Sequence, residues 1–277
     1  MQLENLKRAR EQSAQIALPI SDQELIERYE AVFTAAVNDV LREMGYLYQT
    51  LPSAIQGLTM DMRVAGIAFT IKGSKNLRIE DEMPERAKML DAIAPYSVCV
   101  WDTSGDDESA QWGEIMTMAS MSRGCRGAIV DGGVRDVDRI LKLGFPVFAR
   151  YRSSNGMLGR FRMIGYQMPI QIGGVNIAPG DVILADIDGA IVVPRALAME
   201  VLEKAEAIRD NEVEIKKMVL SGLKATEIVE RGGYFIKLNY ILYSFQRASA
   251  HYSPRRCRTA NQTAPHSAAN AAPRQGK

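Results

Sequence analysis

Arg123-Gly124-Cys125-Arg126-Gly127-Ala128-Ile129-Val130-Asp131-Gly132-Gly133-Val134-Arg135-Asp136 is the stretch on which the reading of this chain turns. Its middle, Gly127 to Val130, is short and apolar, which predicts a buried strand. In α/β folds such a strand delivers the chain to the sheet edge where ligands bind. Gly132 and Gly133 then predict a sharp turn and a close approach of backbone to ligand. Arg135 offers a planar fork of donors suited to a carboxylate or an enolate oxygen. Asp136 offers hard oxygen atoms, which together with water suit Mg2+ or Mn2+. A plainer explanation stands beside this one: Arg135 and Asp136 pair with neighbours, and Asp136 caps the helix predicted from Val137 to Leu143. Spacing alone leaves both open. The glycine pair is not a GxGxxG dinucleotide fingerprint, and the chain has no GxxxxGK[ST] phosphate loop.

Just upstream, Ser97 to Trp101 is another short apolar run that suits a buried strand. It ends in an acidic, turn-forming loop, Asp102 to Glu108, and a helix is predicted from about Gly113 to Ser122. The first amides of that helix, around Gly113, Ile115 and Met116, lack intrahelical partners and can bind an anion. Glu114 points to the same mouth, or simply favours the positive end of the helix dipole.

Farther out, Ser21-Asp22-Gln23-Glu24 reads as a capping box. Apolar residues from Leu25 to Met44 recur at the spacing of one buried helical face, stopped by Gly45. A strand is predicted from Arg63 to Ile71, a helix from Pro84 to Ile93, and a strand beginning at Phe145. Short strands follow at Gln171 to Ile177, Asp181 to Ala185 and Ala190 to Val193, with turns at Pro179-Gly180 and Asp188-Gly189. A long amphipathic helix is predicted from Arg195 to Leu220, and a short one from Ala225 to Glu230. This succession implies an α/β layered architecture. Residues 1–20 read as an N-terminal extension and 21–234 as one domain. Residues 235–277 change character, and from His251 they are rich in Ser, Ala, Pro, Asn and Gln without periodicity, which predicts disorder.

The 277 residues include 47% hydrophobic and 24% charged side chains, ordinary for a globular protein with a real core. A net charge of +1 gives no electrostatic reason to expect nucleic acid or an anionic membrane as partner. No apolar run suits a membrane span, and Met1 to Arg10 lacks the apolar stretch of a secretory signal. Cys99, Cys125 and Cys257 form no CxxC pair, so a cytoplasmic location is the simpler expectation. His251 and His266, both in the tail, are the only histidines. A Ser-His-Asp mechanism and histidine-ligated zinc are therefore excluded from the body. Acid–base work there falls to carboxylates, Lys, Tyr or water.

Trp112 to Met116 together with Arg123 to Asp136 resembles the signature of the RraA-like proteins, which include the 4-hydroxy-4-methyl-2-oxoglutarate / 4-carboxy-4-hydroxy-2-oxoadipate aldolases. Thr34 to Leu41, Val64 to Thr70, and Pro179 to Pro194 are similar to the family's first helix, first strand and closing strands. The resemblance covers about Ser21 to Gly233. It implies a layered β/β/α fold of the swivelling type, a homotrimer or homohexamer with sites between subunits, and a class II aldolase that needs Mg2+ or Mn2+. It implies as substrate a small 4-hydroxy-2-oxo acid cleaved to pyruvate, with enolate chemistry that would also decarboxylate oxaloacetate. Carried over by position, Asp136 is the direct metal ligand and Arg135 binds the keto or enolate oxygen. Glu114 acts on the metal through water. The amides of Ile115 and Met116, beside Gly113, receive the pyruvyl carboxylate. Glu212 is the best match for a ligand given by a neighbouring subunit, with Asp210 and Glu214 as rivals. The family also contains non-enzymatic regulators that bind a ribonuclease; these lack the aspartate after the arginine, so Asp136 favours an enzyme. Arg150, Arg152, Arg160 and Arg162 depart from the family's usual loop, and suggest either an anionic substrate or a subunit interface.

Overall fold

The computed structural model describes residues 3–11 and 16–231. The expected disorder of 235–277 lies outside those residues, as do Cys257 and both histidines. Helix α1 (Leu3–Glu11) is short and polar. Helix α2 (Asp22–Glu30) starts where the sequence puts it: Ser21 Oγ accepts from the Glu24 amide at 3.2 Å. The single helix expected through Met44 is instead two. The chain turns at 31–33, with Phe33 extended, and α3 runs over Thr34–Glu43. The cap of α3 comes from far away. Asp186 accepts from the Thr34 amide at 2.9 Å and from the Thr34 hydroxyl at 2.7 Å.

Strands β1 (Gln56–Gly57) and β2 (Val64–Lys75) follow, then α4 (Met83–Asp91) and β3 (Ser97–Asp102). Next come β4 (Ala110–Trp112), α5 (Glu114–Ser122), β5 (Gly127–Val134) and α6 (Val137–Leu143). The chain continues through β6 (Val147–Arg152), β7 (Phe161–Tyr166), β8 (Ile170–Ile172) and β9 (Val175–Ile177). It closes with β10 (Val182–Asp186), β11 (Gly189–Val193), the long helix α7 (Ala198–Leu220) and α8 (Ala225–Glu230). Strands β4 and β7 were not expected, and the run 171–177 is a two-stranded hairpin rather than one strand.

The main sheet has the order β1-β6-β5-β3-β2-β10-β11. Its centre, β6-β5-β3-β2, is parallel, while β10 and β11 run antiparallel. The sheet curls until one segment nearly closes it. Residues 49–51 bond to β11, through Leu51 N to Ala190 O and Gln49 O to Val192 N, both 2.9 Å. A few residues later β1 pairs with β6 at the opposite edge. Alternation along each strand divides the core. Val98, Val100, Ile129, Ile183 and Val192 point inward, where the β8–β9 hairpin plugs the curl with Ile170, Ile172, Val175 and Ile177. Cys99, Trp101, Ala128 and Val130 point outward under Met89, Met116 and Ile140 of α4, α5 and α6. Val182, Leu184, Ile191 and Val193 lie under α2, α3 and α7. Each such fully buried aliphatic side chain contributes about 1.5–3 kcal/mol of transfer free energy. The result is the layered α/β fold that the sequence implied.

The inward-facing register ends in charge. Lys72 and Asp102 are paired in register and 2.6 Å apart, and Arg150 lies 3.7 Å from Asp131. Burial raises the Asp131 pKa to about 6, Arg150 opposes the shift, and Asp102 adds to it. A raised folded-state pKa makes the protonated acid the stabilising form. That stability is complete below the unfolded value and is lost as pH rises through about 6. Asp131→Asn should therefore gain on the wild type in urea midpoint between pH 4.5 and pH 7.5. A difference that stays flat over that range would show that Asp131 ionises normally.

Candidate active site

The two segments singled out in the sequence meet because β4 pairs with β5. Ala110 lies opposite Gly133 and Trp112 opposite Val134, in parallel register. Arg135 N extends the ladder to Trp112 O at 3.0 Å. Gln111 anchors the junction, accepting from Gly133 N at 2.8 Å and donating to Asp106 at 2.6 Å. Trp112 Nε1 donates to the Thr117 hydroxyl at 2.8 Å, which fixes the step from β4 into α5. Gly113, extended at φ −163°, is the N-cap of α5.

The expected glycine turn is not where the chain turns. Gly132 and Gly133 lie within β5, past a register shift after Val130. They are glycines for lack of room. A Cβ on Gly132 would meet the Gln111 side chain, and one on Gly133 would stand 2.5 Å from Ser109 O and from the Tyr151 ring. The turn falls at Asp136, which is left-handed at φ 55°, ψ 33°. Aspartate tolerates that conformation better than most residues, but it remains uncommon outside glycine. It aims the carboxylate away from α6, and Asp136 makes no side-chain cap there. Asp136 Oδ2 instead accepts from the Glu114 amide at 3.3 Å and lies 3.7 Å from Arg135 Nε. The carboxylate thus sits across the amino end of α5. A Cβ on Gly113 would come within 2.8 Å of it, so glycine is needed there for the two segments to approach.

Gly113, Ile115, Met116, Arg135 and Asp136 line one cavity of about 310 Å3, completed by α4, β4 and Met157. All the residues expected at the site except Glu114 and Glu212 therefore border the same space. Glu114 adjoins it, and its carboxylate pairs with Arg139 at 3.0 Å. Glu212 lies on α7, whose packing is on α2, α3 and the β10–β11 edge of the sheet, and it pairs with Lys216 at 3.0 Å. Its rivals are also engaged, Asp210 with Arg209 at 2.9 Å and Glu214 with Lys217 at 2.8 Å. The four extra arginines are not part of the cavity lining: Arg150 faces Asp131, Arg162 bonds Glu80, and Arg152 and Arg160 bond backbone carbonyls.

Among the described residues no group of three acids, cysteines or histidines could hold a metal. A lone carboxylate, 35% exposed, suits a hard cation that keeps most of its water. Asp136 fits that role, with water completing the shell.

Sequence reading missed Arg86, which also lines the cavity. A signal was present. Met83, Arg86, Ala87 and Leu90 recur at i, i+3, i+4 and i+7, which puts an arginine on one face of α4 with three apolar neighbours.

The RraA-like family (Aldolase/RraA) matches residues 34–192. This chain belongs to that family. DlpA of Legionella pneumophila is 32% identical over 189 residues, 68% of this chain but 30% of its own length. The "Putative 4-hydroxy-4-methyl-2-oxoglutarate aldolase" of Halalkalibacterium halodurans is 30% identical over 184 residues, 66% of this chain and 82% of that protein. The fold agrees. A crystal structure described among novel cellulases from gut-associated microbes matches at TM-score 0.73 and 48% identity, covering 77% of this chain and 96% of that one. RraAS2 of Streptomyces coelicolor, an unusual member of the RNase ES inhibitor RraA family, matches at 0.64 and 26%, covering 73% and 100%. No helix among the described residues is long and apolar enough to cross a membrane.

Proposed function

We propose that this RraA-like protein is a carbon–carbon lyase that cleaves a 4-hydroxy-2-oxo acid to pyruvate, and that it also decarboxylates oxaloacetate. One observation carries the reading: Arg135, Asp136 and the open amino end of α5 converge on one cavity. The relatives named for 4-hydroxy-4-methyl-2-oxoglutarate aldolase activity support it.

Asp136 would hold Mg2+ or Mn2+, with Glu114 acting through water and Glu212 supplied by a second copy in a homotrimer or homohexamer. When bound, the metal supplies Lewis-acid stabilisation of the enolate. The chain's own groups do the rest. The amides of Ile115 and Met116 orient the pyruvyl carboxylate. Arg135 donates to the keto oxygen, and this bond strengthens as negative charge gathers there. The 4-hydroxyl gives up its proton toward Glu114 through water. The C3–C4 bond then breaks, its electron pair passes into the pyruvyl half, and the departing half becomes a carbonyl. A proton returned to C3 completes pyruvate.

The same geometry argues against glycosidase chemistry, despite the relative described as a cellulase. Glycoside hydrolysis needs two carboxylates flanking the bond. The lining here offers one carboxylate and two arginines, a surface for an anion.

The test is pyruvate release from 4-hydroxy-4-methyl-2-oxoglutarate and from oxaloacetate, with Mg2+ and after EDTA. Release that EDTA abolishes and Mg2+ restores is the expected result. No pyruvate from either substrate, together with no Mn2+ binding by electron paramagnetic resonance, would end the lyase reading and favour a ribonuclease-binding regulator.

A further inference from the structure

Arg86 has no task in the chemistry above. It stands at one wall of the cavity, half-buried, with Nη2 3.3 Å from Met116 Sδ. Among the described residues it meets no carboxylate. Glu82, one turn earlier on the same side, is buried and lies 3.8 Å from Arg162. Burial pulls the Arg86 pKa below the usual arginine value, Glu82 opposes this, and the charge on Arg135 adds to the lowering. A guanidinium stays charged even so. Two arginines thus line one space whose lining holds a single carboxylate, Asp136.

An arginine on an apolar helix face often does no more than cover it with its stem. Here the wall around Arg86 is already apolar, with Met83, Ala87, Leu90, Met116 and Met157. A partly desolvated cation there, near a second cation and with only the Glu82 charge acting on it from one turn away, gains from an anion that joins it in the cavity. Guanidinium and carboxylate match as a bidentate pair.

We propose that Arg86 binds the carboxylate at the far end of a 2-oxo diacid whose pyruvyl end is held by Arg135, so that Arg86 selects diacids over monoacids. This assignment rests on the lyase reading for its chemistry. The apolar part of the lining suits the short aliphatic middle of such a molecule, and Arg86 is a specificity residue rather than a catalytic one.

The experiment compares 4-hydroxy-4-methyl-2-oxoglutarate with 4-hydroxy-4-methyl-2-oxopentanoate, in which a methyl group replaces the far carboxylate. In Arg86→Met, kcat/KM for the diacid should fall by about 10- to 100-fold, mostly through KM, from loss of a charged hydrogen bond. The monoacid should change by less than about threefold on the same principle, and Arg86→Lys should recover part of the loss. Calorimetric binding of 2-oxoglutarate and of 2-oxopentanoate gives a readout without turnover. If neither hydroxy acid is cleaved yet 2-oxoglutarate binds more weakly to Arg86→Met, the lyase reading fails and the assignment of Arg86 stands. Equal losses for diacid and monoacid, or a wild type without preference for the diacid in either assay, would overturn it.

Discussion

Asp136→Asn is expected to lower kcat/KM for pyruvate release about 10³-fold while leaving the protein folded. The size follows from what the carboxylate does on the proposed reading: it is the one acid of the cavity lining, and the amide keeps its shape but not its charge. The intact fold follows from how little else Asp136 holds. Its contacts are a long bond from the Glu114 amide and a 3.7 Å approach to Arg135, both partly in solvent. An exposed pair of that kind is worth under about 1 kcal/mol. Asparagine also tolerates the left-handed backbone that residue 136 adopts. Asp136→Ala lacks that tolerance and should lose about 1 kcal/mol of stability in addition. The two variants therefore separate ligand loss from backbone strain: equal inactivity with unequal urea midpoints is the signature. Full activity in Asp136→Asn would mean that the carboxylate is not a ligand, and weaker Mn2+ binding in both variants checks the same point independently.

How far this site could be read in the sequence depends on the range of the interaction that makes it. Ser21, the strand beginning at Gly127, the helix Val137–Leu143 and its stop at Gly144 are written in local pattern, and the structure places them as read. Arg135, Asp136 and Gly113, which the family motif singled out, line one cavity. The break between α2 and α3 was not legible. Val32 is fully buried, so the apolar rhythm passes through the break without losing phase, while the cap of α3 comes from Asp186, 152 residues away. Strand β4 is three residues long and is held by its pairing with β5, to which Gln111 adds a side-chain bond. No local pattern announces so short an element. The glycine pair misled for the opposite reason: a doublet that commonly marks a turn is used here to make space. Arg86 had a legible spacing, but a helical arginine among apolar residues is usually a surface residue that covers them.

The space made by that doublet leads to the second large effect. Gly133→Ala should lower stability by about 3 kcal/mol, the upper end for overpacking a core, and Tm by roughly 6–12 °C. The new methyl group has nowhere to go. It would sit 2.5 Å from the carbonyl oxygen of Ser109 and 2.5 Å from the Tyr151 ring. Tyr151 cannot swing aside freely, because its hydroxyl donates to that same Ser109 carbonyl at 2.9 Å. The backbone must move, and what moves is the segment leading into β4, which carries Gln111, Trp112 and Gly113 to the cavity. Gly132→Ala should lower stability as well, since its methyl group would meet the buried, hydrogen-bonded side chains of Gln111 and Thr103. Both variants should have urea midpoints below the wild type. Activity should fall in Gly133→Ala even where the protein remains folded, because β4 holds Gly113 against Asp136. A Gly133→Ala protein with the wild-type midpoint would show that β4 is not seated against β5. The convergence of Arg135, Asp136 and α5 would then need another cause.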